Sequence, residues 1–327
     1  MHLNRPRQIP PLQREIFDVS EWRMDPEYHV FPQGSRPKTA IICPDPAPSP
    51  LLRAGHRYLF KESEPRYPAQ YWAEVFAYRI GLSVGVIVPP AFAAVDSRKA
   101  TVGTLIEWFY GYPGARYRRV FVPAVEIFKR LIPEFDLKSG RQHNLRTAIT
   151  YLRFFQRGAA KLPAPEGFWG RALAFDSLIG NTDRHQENWG LLWIVRSDGP
   201  TAGYAPMFDN GSSLGHELTE DAIERYADPT VLDHYIARGR HHVRWGLNSE
   251  REAQFPLLDR FYRTQPAARA PIRRVGRTDA GLIIAEIDAV ATLGRGTELT
   301  DARSRFISRI VQRRHAMIQT ICEGSLP

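Results

Sequence analysis

Up to residue 110 the apolar positions come in short, strand-length runs, at 39–43, 58–61, 86–95 and 101–107. These runs surround one stretch with helical spacing, 68–80, which opens on Pro68 in the first turn, where the missing N–H matters least. Beyond residue 110 a spacing of three and four residues takes over. It marks helices over 144–155, 168–179, 220–226, 231–238, 252–262, 280–293 and 303–321. The last is the clearest: Phe306, Ile307, Ile310, Val311, Met317, Ile318 and Ile321 share one face, with arginines expected opposite. One interruption stands out. Residues 191–195 read as a buried strand, 197–200 as a turn and 204–208 as a second short extended run.

The pattern predicts an α+β protein in two lobes. Residues 1–110 would form an N-terminal arm and a mixed, β-rich small lobe, and 111–327 a mostly helical large lobe. The segment 109–114, rich in glycine and aromatic residues and holding Pro113, suits a linker between them. Residues 1–30 read as an extended arm against the small lobe, and the prolines of 44–50 as a loop between strands.

Composition narrows the class. No apolar run approaches the roughly 18 residues needed to cross a bilayer, and residues 1–15 hold no apolar signal core, so a cytoplasmic chain without a membrane partner is expected. Cys43 and Cys322 are the only cysteines, which suits two reduced thiols and excludes a disulfide framework. Lys and Arg number 44 against 35 acids, a net charge of +9. No nucleic-acid-binding motif accompanies that charge, so nucleic acid enters only as an indirect partner, for example as tRNA bound to a substrate enzyme.

Candidate chemistry concentrates in two polar segments flanking the predicted hairpin: 183–188, Asp-Arg-His-Gln-Glu-Asn, and 209–211, Asp-Asn-Gly. Gly180-Asn181 suits a left-handed cap ending the helix before the first. Helix, acidic loop, hairpin, acidic loop brings Asp183 and Asp209 to one end of the hairpin. Phosphoryl transfer needs such a set, because it is mostly positioning and charge neutralisation: a carboxylate near the incoming hydroxyl and hard oxygens for Mg²⁺. Taken alone, the same residues also read as a helix cap and a surface turn. Upstream, Lys61 ends a short apolar strand and Glu74 is the one acid of the next helix, the order expected of a lysine holding nucleotide phosphates and its carboxylate partner. His185, two residues from Asp183, reads as a loop-ordering side chain in preference to a metal ligand. Arg184 suits a phosphate or a surface acid, and His241-His242 suit packing around Trp245.

Together Gly34-Ser35-Arg36-Pro37-Lys38, Tyr58-Leu59-Phe60-Lys61, Leu105-Ile106-Glu107-Trp108-Phe109, the block 180–188 and Phe208-Asp209-Asn210-Gly211 resemble the HipA-like serine/threonine kinases. These bacterial enzymes are related in fold to eukaryotic protein kinases and phosphatidylinositol 3/4-kinases, and the resemblance covers roughly residues 30–320. It implies a bilobal kinase fold, ATP and Mg²⁺ as cofactors, and a serine or threonine of a protein as acceptor. Asp183 would be the catalytic base and Lys61 would contact the ATP phosphates. Asn188 and Asp209 would bind the metal, and the backbone of Glu107 and Phe109 the adenine. Gly34, Ser35, Lys38, Glu74 and His185 complete the nucleotide site that the resemblance implies. By the same analogy the chain would be the toxin of a toxin–antitoxin pair, with an antitoxin as partner. Family members carry a further N-terminal subdomain, and the residues ahead of Gly34 are too few to form one, so a stand-alone kinase core is expected, with a partner chain as one source of the missing part. Ser35 follows the loop glycine, whereas the self-inhibiting serine of known members precedes it. Two other readings keep the same residues: a phosphoinositide or small-molecule kinase, and a non-catalytic module that binds nucleotide or nucleic acid.

Overall fold

The small-lobe runs form a six-stranded sheet in the computed structural model, which describes residues 9–28, 37–137, 140–157, 162–197 and 199–324. Its strands are β1 (Phe17–Asp18), β2 (Arg23–Met24), β3 (Lys38–Ile42), β4 (Arg57–Glu62), β5 (Ala91–Asp96) and β6 (Thr101–Glu107), in the order β1-β5-β6-β4-β3-β2. β4 lies between β3 and β6, antiparallel to both, with Lys38 opposite Lys61 and Tyr58 opposite Glu107. Directly opposed residues share a face, so both lysines project from the same side. Residues 9–28 do lie against this sheet: β1 runs parallel to β5, and the Gln13 amide both donates to the Ala93 carbonyl (2.7 Å) and accepts from the Ala93 N–H (2.9 Å). The run at 86–95 is only partly strand, because Pro89 and Pro90 delay its start to Ala91.

Pro68–Gln70 form a 3-10 turn that leads into α1 (Tyr71–Val84), and Gly85, at φ 70°, caps that helix in the left-handed region. Nearly all of α1 is buried, including Glu74 and Arg79.

A second sheet of three strands, β7 (Arg118–Pro123), β8 (Gly190–Val195) and β9 (Thr201–Tyr204), has β8 at its centre. The extended run expected at 204–208 is shifted. Pairing ends at Tyr204, and 205–208 leave the ladder to lead into Asp209. The helices are α2 (Ala124–Leu131), α3 (Leu145–Arg157), α4 (Pro165–Ile179), α5 (Glu220–Ile223), α6 (Pro229–Arg238), α7 (Gln254–Thr264), α8 (Pro266–Gly276), α9 (Ala280–Leu293) and α10 (Asp301–Glu323). α4 is the hub, with Phe168, Trp169, Leu173, Phe175 and Leu178 all withdrawn from water. It packs closely on α8, where a Cβ at Gly170 would come within 2.8 Å of the Ala268 side chain.

α8 and α10 also differ from the expectation. α8 escapes the pattern because Pro271 sits inside it, a residue that ordinarily ends a helix. The arginines of α10 are not all opposite its apolar face. Arg303 donates to the carbonyls of Gly215 (2.9 Å) and Leu218, and Arg314 to the Ser177 carbonyl (3.0 Å) and the Gln254 side chain (2.8 Å), all within the interior. Their long stems cross apolar surface, and their planar heads satisfy carbonyls that no helix or strand ladder takes up.

A Cβ at Gly190, the first residue of β8, would lie 2.3 Å from the Val122 carbonyl oxygen. Gly190→Ala is therefore expected to destabilise the chain by about 1–3 kcal/mol through overpacking. Urea unfolding of the two proteins measures this, and an unchanged midpoint would contradict the packing described.

Candidate active site

Lys61 is buried on β4, and a buried ammonium is stable only with counter-charges beside it. Two carboxylates supply them. Glu74 of α1 lies 3.2 Å from the lysine nitrogen, and Asp209 makes the closer ion pair. The second Glu74 oxygen accepts the backbone N–H of Asn210 at 2.9 Å. β4, α1 and the segment after Phe208 thus meet at one point. Asp209 sits at φ +57°, a left-handed conformation that aspartate tolerates better than most side chains.

The 181–188 loop is built from the end of α4. Gly180, at φ 71°, caps the helix, and the Asn181 side-chain oxygen accepts the Asp183 N–H at 2.9 Å. The Asn188 amide nitrogen donates to the Asp183 carbonyl at 2.8 Å, which leaves its oxygen, a hard donor, outside that bond. Burial pushes the Asp183 carboxyl above its ordinary range. His185 opposes that shift, Asp209 adds to it, and Lys61 and Arg184 oppose it. Asp183 is therefore in electrostatic reach of both members of the Lys61–Asp209 pair.

Arg184 pairs with neither a phosphate nor a surface acid. It is fully buried, and its Nε and Nη2 grip both oxygens of Asp176 on α4, at 3.1 and 2.7 Å. Nη1 donates to the carbonyls of Asn188 (3.1 Å) and Phe208 (2.6 Å), and Nη2 also to the Asn210 side chain (2.9 Å). One guanidinium holds the Asp183 loop and the Asp209 segment together. Burial alone would raise the Asp176 carboxyl, but Arg184 and His241 outweigh it and hold the group below its ordinary range. The sequence carried one signal for this pair, an aspartate beside Ser177 in the otherwise apolar run 172–179.

The histidines pack around the same loop, not around Trp245. His241 lies 3.1 Å from Asp176, while Trp245 is covered by Arg260. Trp189 donates to Nε2 of His143, so the proton of neutral His143 sits on Nδ1, 3.4 Å from Nδ1 of His242. The His185 ring stands 5.7 Å from that of His242. Burial depresses His143 well below the usual histidine value, and burial with Arg251 beside it takes His242 down to about 3. Among the described residues, no three His, Cys, Asp or Glu side chains converge to hold a metal.

Toward β6, the Glu107 N–H is taken by the Pro90 carbonyl (2.8 Å), and its carboxylate turns to Tyr112 (2.8 Å) and Arg53 (3.4 Å). The Phe109 ring stacks on Phe208 at 5.3 Å, and Phe121 of β7 meets both edge-on. Phe208 of this cluster directly precedes Asp209, and its Phe121 was not singled out in the sequence. Lys38 shares the sheet face of Lys61. Gly34 and Ser35 lie outside the described residues.

The fold is a HipA-like kinase fold. The chain is similar to the Helicobacter pylori proinflammatory kinase CtkA at a TM-score of 0.71 and 18% identity, over 95% of this chain and 99% of that one. It is also similar to HipA of the Shewanella oneidensis MR-1 toxin–antitoxin system, solved with HipB and operator DNA, at a TM-score of 0.50 and 15% identity, over 94% of this chain and 67% of that one. No family model and no curated protein matches the sequence, so the likeness is one of structure.

Two outcomes test this geometry. Arg184→Met leaves Asp176 buried with its main counter-charge gone and should lower stability by about 3–5 kcal/mol, whereas adding Asp176→Leu to it should recover part of the loss. Urea unfolding reads both, and a loss under about 1 kcal/mol for the single variant would contradict the central role of Arg184. The second concerns acid. The folded state keeps His143 and His242 neutral, so the unfolded chain binds more protons below pH 6.5. Stability should then fall as pH drops from 6.5 towards 5, by about 1.4 kcal/mol per pH unit for each histidine so held. Thermal melts of wild type and His242→Gln should differ in this slope, the variant being flatter.

Proposed function

We propose that the chain is an ATP- and Mg²⁺-dependent phosphotransferase that acts on a serine or threonine hydroxyl of a protein. The observation that carries this reading is the convergence of Lys61, Glu74, Asp183 and Asp209, with Asn188 tied to the Asp183 carbonyl. An oxygen-only pair, Asn188 and Asp209, fits a hard cation that takes few protein ligands and fills its shell with phosphate and water. These two residues would hold Mg²⁺, which when bound neutralises charge on the transferred group. Lys61, fixed by Glu74, is placed to bind the nucleotide phosphates, with Lys38 on the same sheet face beside it. The cluster of Phe109, Phe121 and Phe208 offers rings on which a purine stacks.

Asp183 takes the role of base. Its carboxyl, pushed upward by burial, is a better proton acceptor for an incoming hydroxyl than an ordinary exposed aspartate. Asn181 and Asn188 hold its backbone from both sides, which supports this role. The boundary between nucleotide-binding and helical parts falls near residue 110 in this reading, and His185 orders the loop behind Asp183.

The HipA likeness supports a further part of the proposal, a cytoplasmic toxin held in check by an antitoxin chain. No helix among the described residues is long and apolar enough to cross a membrane.

Transfer of label from γ-labelled ATP to proteins in a cell lysate tests the reading. Asp183→Asn and Lys61→Met should each lower transfer at least about a hundredfold. A labelled protein band that persists in both variants would sink the assignment, and label appearing only in lipid or small molecules would move the acceptor.

A further inference from the structure

Exposed large apolar side chains are spread over the described residues, and some of them fall near one groove. Leu131 on α2, Phe154 on α3 and Val195 on β8 are 36%, 70% and 51% exposed, and they belong to the elements around one groove of about 510 Å³. Its floor is apolar, made by Val122, Ile127, Phe155 and Trp193. Phe121, on the strand that borders the groove, alternates with Val122 and turns its ring to the other face of the sheet, against Phe109 and Phe208.

The charges at its edge are not balanced. Glu126, its one acidic lining residue, is already paired with Lys129 at 3.2 Å. Arg130, also in the lining, and the exposed Arg118 of β7, on the face of Val122 and Trp193, make no ion pair with any described residue. β7 is also an edge strand among the described residues, so its main chain is open on one side to an extended partner.

We infer that this groove docks an extended segment of the protein to be phosphorylated, one with apolar residues at alternate positions and acidic residues beside them. The inference rests on the phosphotransferase reading above and places substrate choice away from the reacting hydroxyl. Apolar side chains of the segment fill the space over Trp193 and Phe155, and its carboxylates meet Arg118 and Arg130. Such docking raises the effective concentration of the acceptor at Asp183 without asking the acceptor loop itself for sequence specificity.

Panning a library of random displayed peptides on the full chain, followed by fluorescence polarisation of the enriched peptides, tests this. Enriched peptides should combine alternating apolar residues with Asp or Glu, and should bind a Leu131→Glu/Arg130→Glu variant at least about tenfold more weakly. Both positions are exposed, so the variant should keep its fold and its Mg·ATP affinity, which calorimetry checks. No enrichment over a control protein, equal binding to the variant, or peptides with basic flanks would each overturn the proposal. The two readings fail separately: a chain that transfers phosphate but docks no peptide loses only the groove. One that docks acidic peptides without binding ATP loses the kinase reading.

Discussion

The ion pair between Arg184 and Asp176 has both side chains wholly out of water, and two loops depend on it. Burying such a pair costs several kcal/mol in desolvation, which is offset only where geometry is close to ideal and the remaining donors are satisfied. Here they are. The guanidinium meets the carboxylate with two nitrogens, and its other hydrogen bonds go to the carbonyls of Asn188 and Phe208 and to the Asn210 side chain. His241 takes the other side of Asp176, and Gln254 donates to the Asp176 carbonyl (3.2 Å) and to that of Asn181 (2.6 Å). The result is a hydrogen-bonded frame for the groups that the proposed phosphoryl transfer would need in place, which is the condition for electrostatic preorganisation.

A second frame comes from the sheet side. Lys61 and Glu74 tie β4 to α1, and Glu74 reaches on to the Asn210 N–H. Residues 209–210 belong to both frames: Asp209 pairs with Lys61, while Asn210 bonds Glu74 through its backbone and Arg184 through its side chain. The segment sits where the helical part and the six-stranded sheet are held to each other. Arg303 and Arg314 repeat the device further out, each capturing backbone carbonyls in the interior. Part of the positive charge that a basic composition suggests for a nucleic-acid surface is thus spent inside the protein.

The α+β class was legible because the apolar period changes cleanly from strand to helix spacing, and β4, β6, α4, α9 and α10 follow from it. Lys61, Glu74, Asp183, Asn188 and Asp209 stood out because phosphoryl-transfer chemistry restricts residue types in a fixed order. What stayed hidden depends on contacts distant in sequence. Arg184 looks like any loop arginine until Asp176, eight residues earlier, is seen to share its burial. His241 and Gln254 lie 65 and 78 residues from Asp176, which they meet only through the fold, and no local period announces them. α8 was obscured by Pro271, and the buried faces of Arg303 and Arg314 contradict the rule that charged residues line the outer face of an amphipathic helix.

The most direct measurement is calorimetric titration of ATP into the purified chain with and without Mg²⁺, repeated with Asp209→Asn. Asparagine tolerates the left-handed backbone at this position, so the variant removes the charge without straining the loop. The account predicts that Mg²⁺ tightens ATP binding to the wild type and that the substitution abolishes this gain while leaving the fold intact. ATP binding that is absent, or indifferent to both Mg²⁺ and Asp209, would contradict it.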